Sequence, residues 1–140
     1  MAVGIGRILG KFVTGSPSSL LQRFVPNGSV IDGIGIARVL QSPTYGVNVA
    51  VDLSLGTIVT IVVTNNVAFT IGAPTNAVTG MEWILAIRNT SGGAMGVVTF
   101  NAAFKLPAFV NPANGFQRSM HFYFDGTNHR EVIRSSDEPV

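Results

Sequence analysis

Few side chains in this 140-residue chain are equipped for chemistry. The carboxylates are Asp32, Asp52, Glu82, Asp125, Glu131, Asp137 and Glu138, and the histidines are His121 and His129. Hydrolysis needs two convergent carboxylates, or a nucleophile beside a positioned base. These carboxylates are isolated in sequence or terminal, so no acid–base pair is expected, and no cofactor. His121, His129 and Glu131 raise a metal site, since Glu131 lies two residues from His129. In either plausible hairpin register, however, His121 faces position 131 or 132 rather than His129, and a structural role is expected for both. Cysteine is absent, which excludes disulfides and thiolate metal sites.

Two glycine-rich stretches invite a phosphate reading. In "RNTSGGAMGVVTFNAAFKLPAF", Arg88 to Phe109, the glycines Gly92, Gly93 and Gly96 lack the Lys-Ser/Thr of a phosphate loop, and no helix signal follows. They read as turn residues supplying positive φ between strands. "GIGRILG", Gly4 to Gly10, has the wrong spacing after Gly6 for a dinucleotide fingerprint. The chain is not expected to be an enzyme; a carbohydrate-active one would need a carboxylate pair shared between neighbouring subunits.

The elements that would position these residues are short strands. From Tyr45 onward, apolar runs separated by turn signals predict an all-β fold, an antiparallel β-sandwich or barrel of jelly-roll type. "YGVNVAVD" sets Tyr45, Val47, Val49 and Val51 on one face. Thr57–Thr64, "TIVTIVVT", is β-branched throughout and predicts a central strand buried on both faces. Asn65-Asn66 is placed to close a tight hairpin into "VAFTI". In "MEWILAIRN", Met81, Trp83, Leu85 and Ile87 share a face opposite Glu82 and Arg88. "FQRSMHFYFD" and "HREVIR" form a hairpin around Asp125-Gly126-Thr127-Asn128. A three-residue loop there is favoured, because a four-residue loop would set His129 opposite Phe124 and Glu131 opposite Phe122.

Residues 1–44 differ from the β domain, 45–140, and read as an extended N-terminal arm. Ser16 and Pro17 can start a short helix carrying Leu20, Leu21 and Phe24. "SVIDGIGIARVL" reads as one strand weakened by Gly33 and Gly35. Ile5, Ile8, Leu9, Phe12, Leu20, Leu21 and Phe24 are apolar within a segment too glycine-rich for a core of its own. They are the expected capsid or subunit interface.

Composition bounds the partners. The charged fraction is 11%, against a typical value of roughly 25%, so the surface is cheap to desolvate and suits burial against other subunits. The net charge is +2 and the basic residues form no stripe, which argues against nucleic acid. No apolar stretch reaches the ~20 residues of a membrane span, and Arg7 and Lys11 interrupt the start in a way no signal peptide does.

The segments "SPTYGVNVAVDLSLG", "AFTIGAPTNAVTG", "IRNTSGGAMGVVTFNAAFKL" and "FYFDGTNHREVIR" together resemble a small β domain of tailed-bacteriophage virion proteins. The likeness covers about Tyr45 to Arg134. His129 departs from it, standing where an aromatic, usually Trp, is expected. The resemblance implies a non-enzymatic structural protein on the outer surface of the virion, usually a homotrimer. The favoured role is capsid decoration, with the major capsid protein as partner. The alternative is a tail-fibre or spike tip that binds a host-surface receptor or glycan, for which Tyr123 and Trp83 are the aromatics to watch. Trp83 is expected in the core.

Overall fold

The computed structural model describes residues 29–32 and 35–140. The predicted arm contacts Ile5, Ile8, Leu9, Phe12, Leu20, Leu21 and Phe24 lie outside the described residues, as does the short helix after Pro17. Among the described residues the protein is all-β. "SVIDGIGIARVL" forms two strands rather than one: β1 (Ser29–Asp32) and β2 (Gly35–Arg38) pair antiparallel in a separate two-stranded sheet. The remaining strands are β3 (Leu40–Gln41), β4 (Asn48–Val49), β5 (Ile58–Val63), β6 (Phe69–Ile71), β7 (Glu82–Asn89), β8 (Val98–Phe100), β9 (Phe104–Lys105), β10 (Phe116–Phe124), β11 (His129–Arg134) and β12 (Glu138–Pro139).

Their pairing corrects the antiparallel sandwich or barrel. From β3 to β8 the chain alternates between two sheets, and within each the successive strands run parallel. β3, β5 and β7 stack in one sheet, β4, β6 and β8 in the other. This is the connectivity of a short β-solenoid rather than of a jelly roll. Within the large sheet, antiparallel pairing enters with the last strands, where β10 runs against β7 and β11 against β10; β9 then adds parallel to β11 and β12 pairs with β10. Alternating burial is shared by coils and sandwiches, because both bury one face of each strand, so the pattern alone does not separate them.

Both sheets contribute to one core. Val59, Ile61 and Val63 of β5, Trp83, Leu85 and Ile87 of β7, and Met120 and Phe122 of β10 meet Val49, Phe69 and Ile71 of the smaller sheet. β5 is central, as its β-branched run predicts, but it is fully buried only on this face; Ile58, Thr60 and Val62 are half-buried on the other. The Asn65-Asn66 turn does not close a hairpin. It carries the chain from one sheet to the other, and Asn65 Oδ1 accepts from the Val67 N–H at 3.0 Å. Val47 leaves the apolar face predicted for "YGVNVAVD" and is exposed, since the chain bends at Gly46-Val47 before β4.

The final hairpin takes the four-residue loop, not the favoured three-residue one: Phe124 faces His129 and Phe122 faces Glu131. The cause is that His129 packs as an aromatic rather than as a charge. A bulge at Val132 then shifts the register, so His121 faces Ile133 rather than position 131 or 132.

Candidate functional site

The chemically capable side chains fall at the hairpin end and along the sheet margins. His129 is buried, stacked on Phe124 with ring centroids 4.7 Å apart, and edge-on to Trp83 at 5.5 Å. Trp83 Nε1 donates to His129 Nδ1 at 3.2 Å. Burial pushes the imidazole below its ordinary pKa, against the opposing pull of the Asp125 charge and a bond to the Pro74 backbone. His121 lies on the opposite face of the sheet, 3.5 Å from the Glu82 carboxylate. The structure therefore does not bring His121, His129 and Glu131 together, and among the described residues no cluster of His, Asp or Glu could hold a metal ion.

The carboxylates are engaged in local bonds. Asp125 takes the N–H groups of Asn128 and Thr127 and the Arg130 guanidinium, which together lower its pKa to about 2. Asp52 is lowered by bonds from Asn76 and Ser54, and it fixes the loop at Asn76, whose φ of 57° is left-handed. Asp137 is lowered chiefly by the Ala113 N–H, and it also pairs with Arg118. Glu131 pairs with Arg134, whose Nη1 donates to the Ala108 carbonyl. Asp52, Asp125 and Asp137 close turns or pin loops, and Glu131 holds the Arg134 that reaches the 107–108 backbone, which is the chemistry of a rigid scaffold.

The glycine-rich segment is a connection between sheets. Gly92 has φ of 81°, as a turn residue there requires. Gly96 lies so close to the Val67 backbone that a Cβ would come within 2.3 Å. Buried Asn89 organises the segment: its Nδ2 donates to Gly93 O and Pro112 O, and its Oδ1 accepts from the Ser91 N–H. Asn111 donates likewise to Gly96 O. Sequence reading overlooked both amides, although an Asn at the end of an apolar strand is a signal for a loop clasp.

Trp83 is in the core as expected, and Tyr123 is exposed on the outer face of the large sheet. Beside it runs a shallow apolar groove of about 270 Å³ bordered by Ile84, Ser119, His121 and Ile133. A second depression, about 400 Å³, lies between Pro43, Asp52, Leu55 and Thr75. The first is almost wholly apolar; the second is also bordered by Gln41 and Ser42, but its Gln41, Asp52 and Thr75 side chains are engaged in local hydrogen bonds rather than turned to a ligand. Comparisons of the chain with protein-family models, curated proteins and solved structures find no match.

Proposed function

We propose that the protein is a structural component of a tailed-bacteriophage virion: a capsid decoration protein that assembles as a homotrimer and binds the outer shell through its N-terminal arm. The observation that carries this reading is the polarity of the fold. Among the described residues β3 and β4, nearest the N-terminal segment, are edge strands of their sheets, with Leu40, Val47 and Leu55 exposed around them. At the far end of the large sheet the parallel coils stop: β10 and β11 run antiparallel, and two-residue β9 is the last strand. A module built this way attaches at one end and presents the other. The acids committed to loops and the low charge agree with a passive, tightly packed surface protein. The residue-level likeness of the β domain to virion proteins supplies the setting.

A second reading, the tip of a tail fibre or spike, draws on the stacked parallel coils. Such coils continue naturally from a shaft, and the hairpin would end it. Binding to purified capsids separates the two. Phe12→Asp and Phe24→Asp, or deletion of residues 1–28, should abolish attachment while the β domain stays folded. Full occupancy by the truncated chain would place the anchor in the β domain and overturn the arm assignment.

A further inference from the structure

Asn114-Gly115 is the one Asn-Gly pair among the described residues. The fold demands its glycine. The Phe116 N–H donates to the Ala113 carbonyl at 3.1 Å to close a turn, and Gly115, third in that turn, has φ of 80°. The missing Cβ that permits this φ also leaves the Gly115 nitrogen unshielded. No atom beyond its chain neighbours lies within 4 Å of where a Cβ would stand. Ala113, Asn114 and Gly115 are exposed, so water reaches the pair. Both reacting groups are nonetheless held by the segment that begins at Asn89. The Gly115 N–H donates to the carbonyl of buried Asn89 at 2.9 Å, and Asn114 Oδ1 accepts from the Gly92 N–H at 2.9 Å.

We infer that Asn114 is a self-modification site, converted to aspartate or isoaspartate through a cyclic imide, and that the Asn89 clasp is its guard. The Gly115 nitrogen gives its proton to solvent base and attacks Asn114 Cγ. As that C–N bond forms, the Cγ–Nδ2 bond breaks and Nδ2 leaves as ammonia. Water then opens the imide at Cγ to give aspartate, or at the Asn114 backbone carbonyl carbon to give isoaspartate, whose peptide link runs through Cγ. No oxidant, reductant or second protein takes part. The clasp opposes the first step twice. The proton that must leave is held on the Asn89 carbonyl, and the imide ring takes over ψ and χ1 of Asn114, which the turn and the Gly92 bond set in the closed loop. Conversion therefore runs from the open loop, at a rate that follows the open population. The product weakens the clasp in turn. Isoaspartate adds a backbone methylene beside Gly115, which is anchored at both ends, its carbonyl accepting from the Val140 N–H at 3.0 Å. Either product places a carboxylate beside Ala113, whose N–H already serves the Asp137 carboxylate at 3.1 Å, and like charges there repel. One opening event is thus recorded covalently. Asp125-Gly126 is no equivalent, because its carboxylate is ionised, with a pKa of about 2, and an ionised carboxylate is a poor acceptor for a nitrogen. The inference goes beyond the virion reading and does not depend on it.

The test incubates the full chain at mildly alkaline pH, once in native buffer and once in denaturant, and follows residue 114 by peptide mapping with mass spectrometry. Mapping keeps Asn27-Gly28, which lies outside the described residues, apart. Aspartate and isoaspartate should accumulate at 114 in both, and Asn114→Ser should abolish the signal. The native chain should convert more slowly by roughly ten-fold or more, the factor that two hydrogen bonds of ordinary net strength supply. Asn89→Leu in native buffer should bring the rate toward that of the denatured chain. If that variant does not fold, the native-to-denatured ratio of the unaltered chain still decides, with amide exchange at Gly92 as a second readout, slow before conversion and faster after it. No conversion at 114 in the denatured chain would overturn the site. Equal rates in native buffer and denaturant would overturn the guard, as would a folded Asn89→Leu variant that converts no faster than the native chain.

Discussion

The indole N–H of Trp83 on β7 donates to Nδ1 of His129 on β11, at 3.2 Å and out of solvent, spanning the strand between them. A donor at Nδ1 requires that nitrogen to be bare, so the bond exists only with a neutral ring. Phe104 packs against both rings, so the state of one imidazole bears on how β9, β10 and β11 hold together.

The consequence is a dependence on pH. The folded pKa of His129 lies below the unfolded value of 6.5. The stability from this site is therefore complete above pH 6.5 and is lost as pH falls through the folded pKa. Melting temperature should decline from pH 7 toward pH 5. His129→Phe should flatten that part of the profile, while costing about 1–3 kcal/mol at pH 7 because the Trp83 N–H loses its acceptor. An unchanged slope in the variant would contradict the assignment.

Asp125 loses its contribution in the same direction as His129, on acidification, but in a lower window. With its pKa lowered to about 2 by the turn's N–H groups, its contribution is intact above the ordinary carboxylate range and is lost as pH falls from that range through about 2. Asp125→Ala should lower the melting temperature at neutral pH and raise amide exchange at Thr127 and Asn128. Unaltered exchange at both amides would show that the carboxylate does not hold the turn.

The glycine-rich connection separates space from conformation. Gly96→Ala must push its methyl into the Val67 backbone and should cost about 1–3 kcal/mol or more. Gly93→Ala, three residues earlier, meets nothing within 4 Å and has no left-handed φ, so it should be near neutral. Chemical denaturation of the two variants checks the contrast; equal losses would refute it.

Asn89→Leu keeps the volume but removes the clasp. The Pro112 carbonyl and the Ser91 N–H lose their partners, and each buried group left unpaired costs about 1–3 kcal/mol. Loss of stability with faster proteolysis between residues 90 and 114 is expected. A variant as stable as the native chain would show that the loop holds itself.

Strand identity was readable because it is local. The β-branched run at β5, the alternation in β7 and the Asp-Gly turn each carry their own signal. Pairing partners were not, since Ile58 meets Ile84 and Leu40 through registers set 26 and 18 residues apart, with nothing in either strand naming its neighbour. Alternation also predicts a buried face without telling a coil from a sandwich. The hairpin register was misread by treating His129 and Glu131 as charges to be kept from aromatics. A neutral histidine bonded to an indole behaves as an aromatic, and Glu131 is neutralised by Arg134 three residues on.

The measurement that bears most directly on the proposed virion role is the protein's copy number in phage particles purified from a lysate that contains it, by quantitative mass spectrometry against the major capsid protein. Decoration predicts hundreds of copies per particle, falling to none with Phe12→Asp and Phe24→Asp. A few tens of copies or fewer, confined to the tail, would move the protein to the fibre or spike tip. Its absence from washed particles would contradict a structural role in the virion altogether.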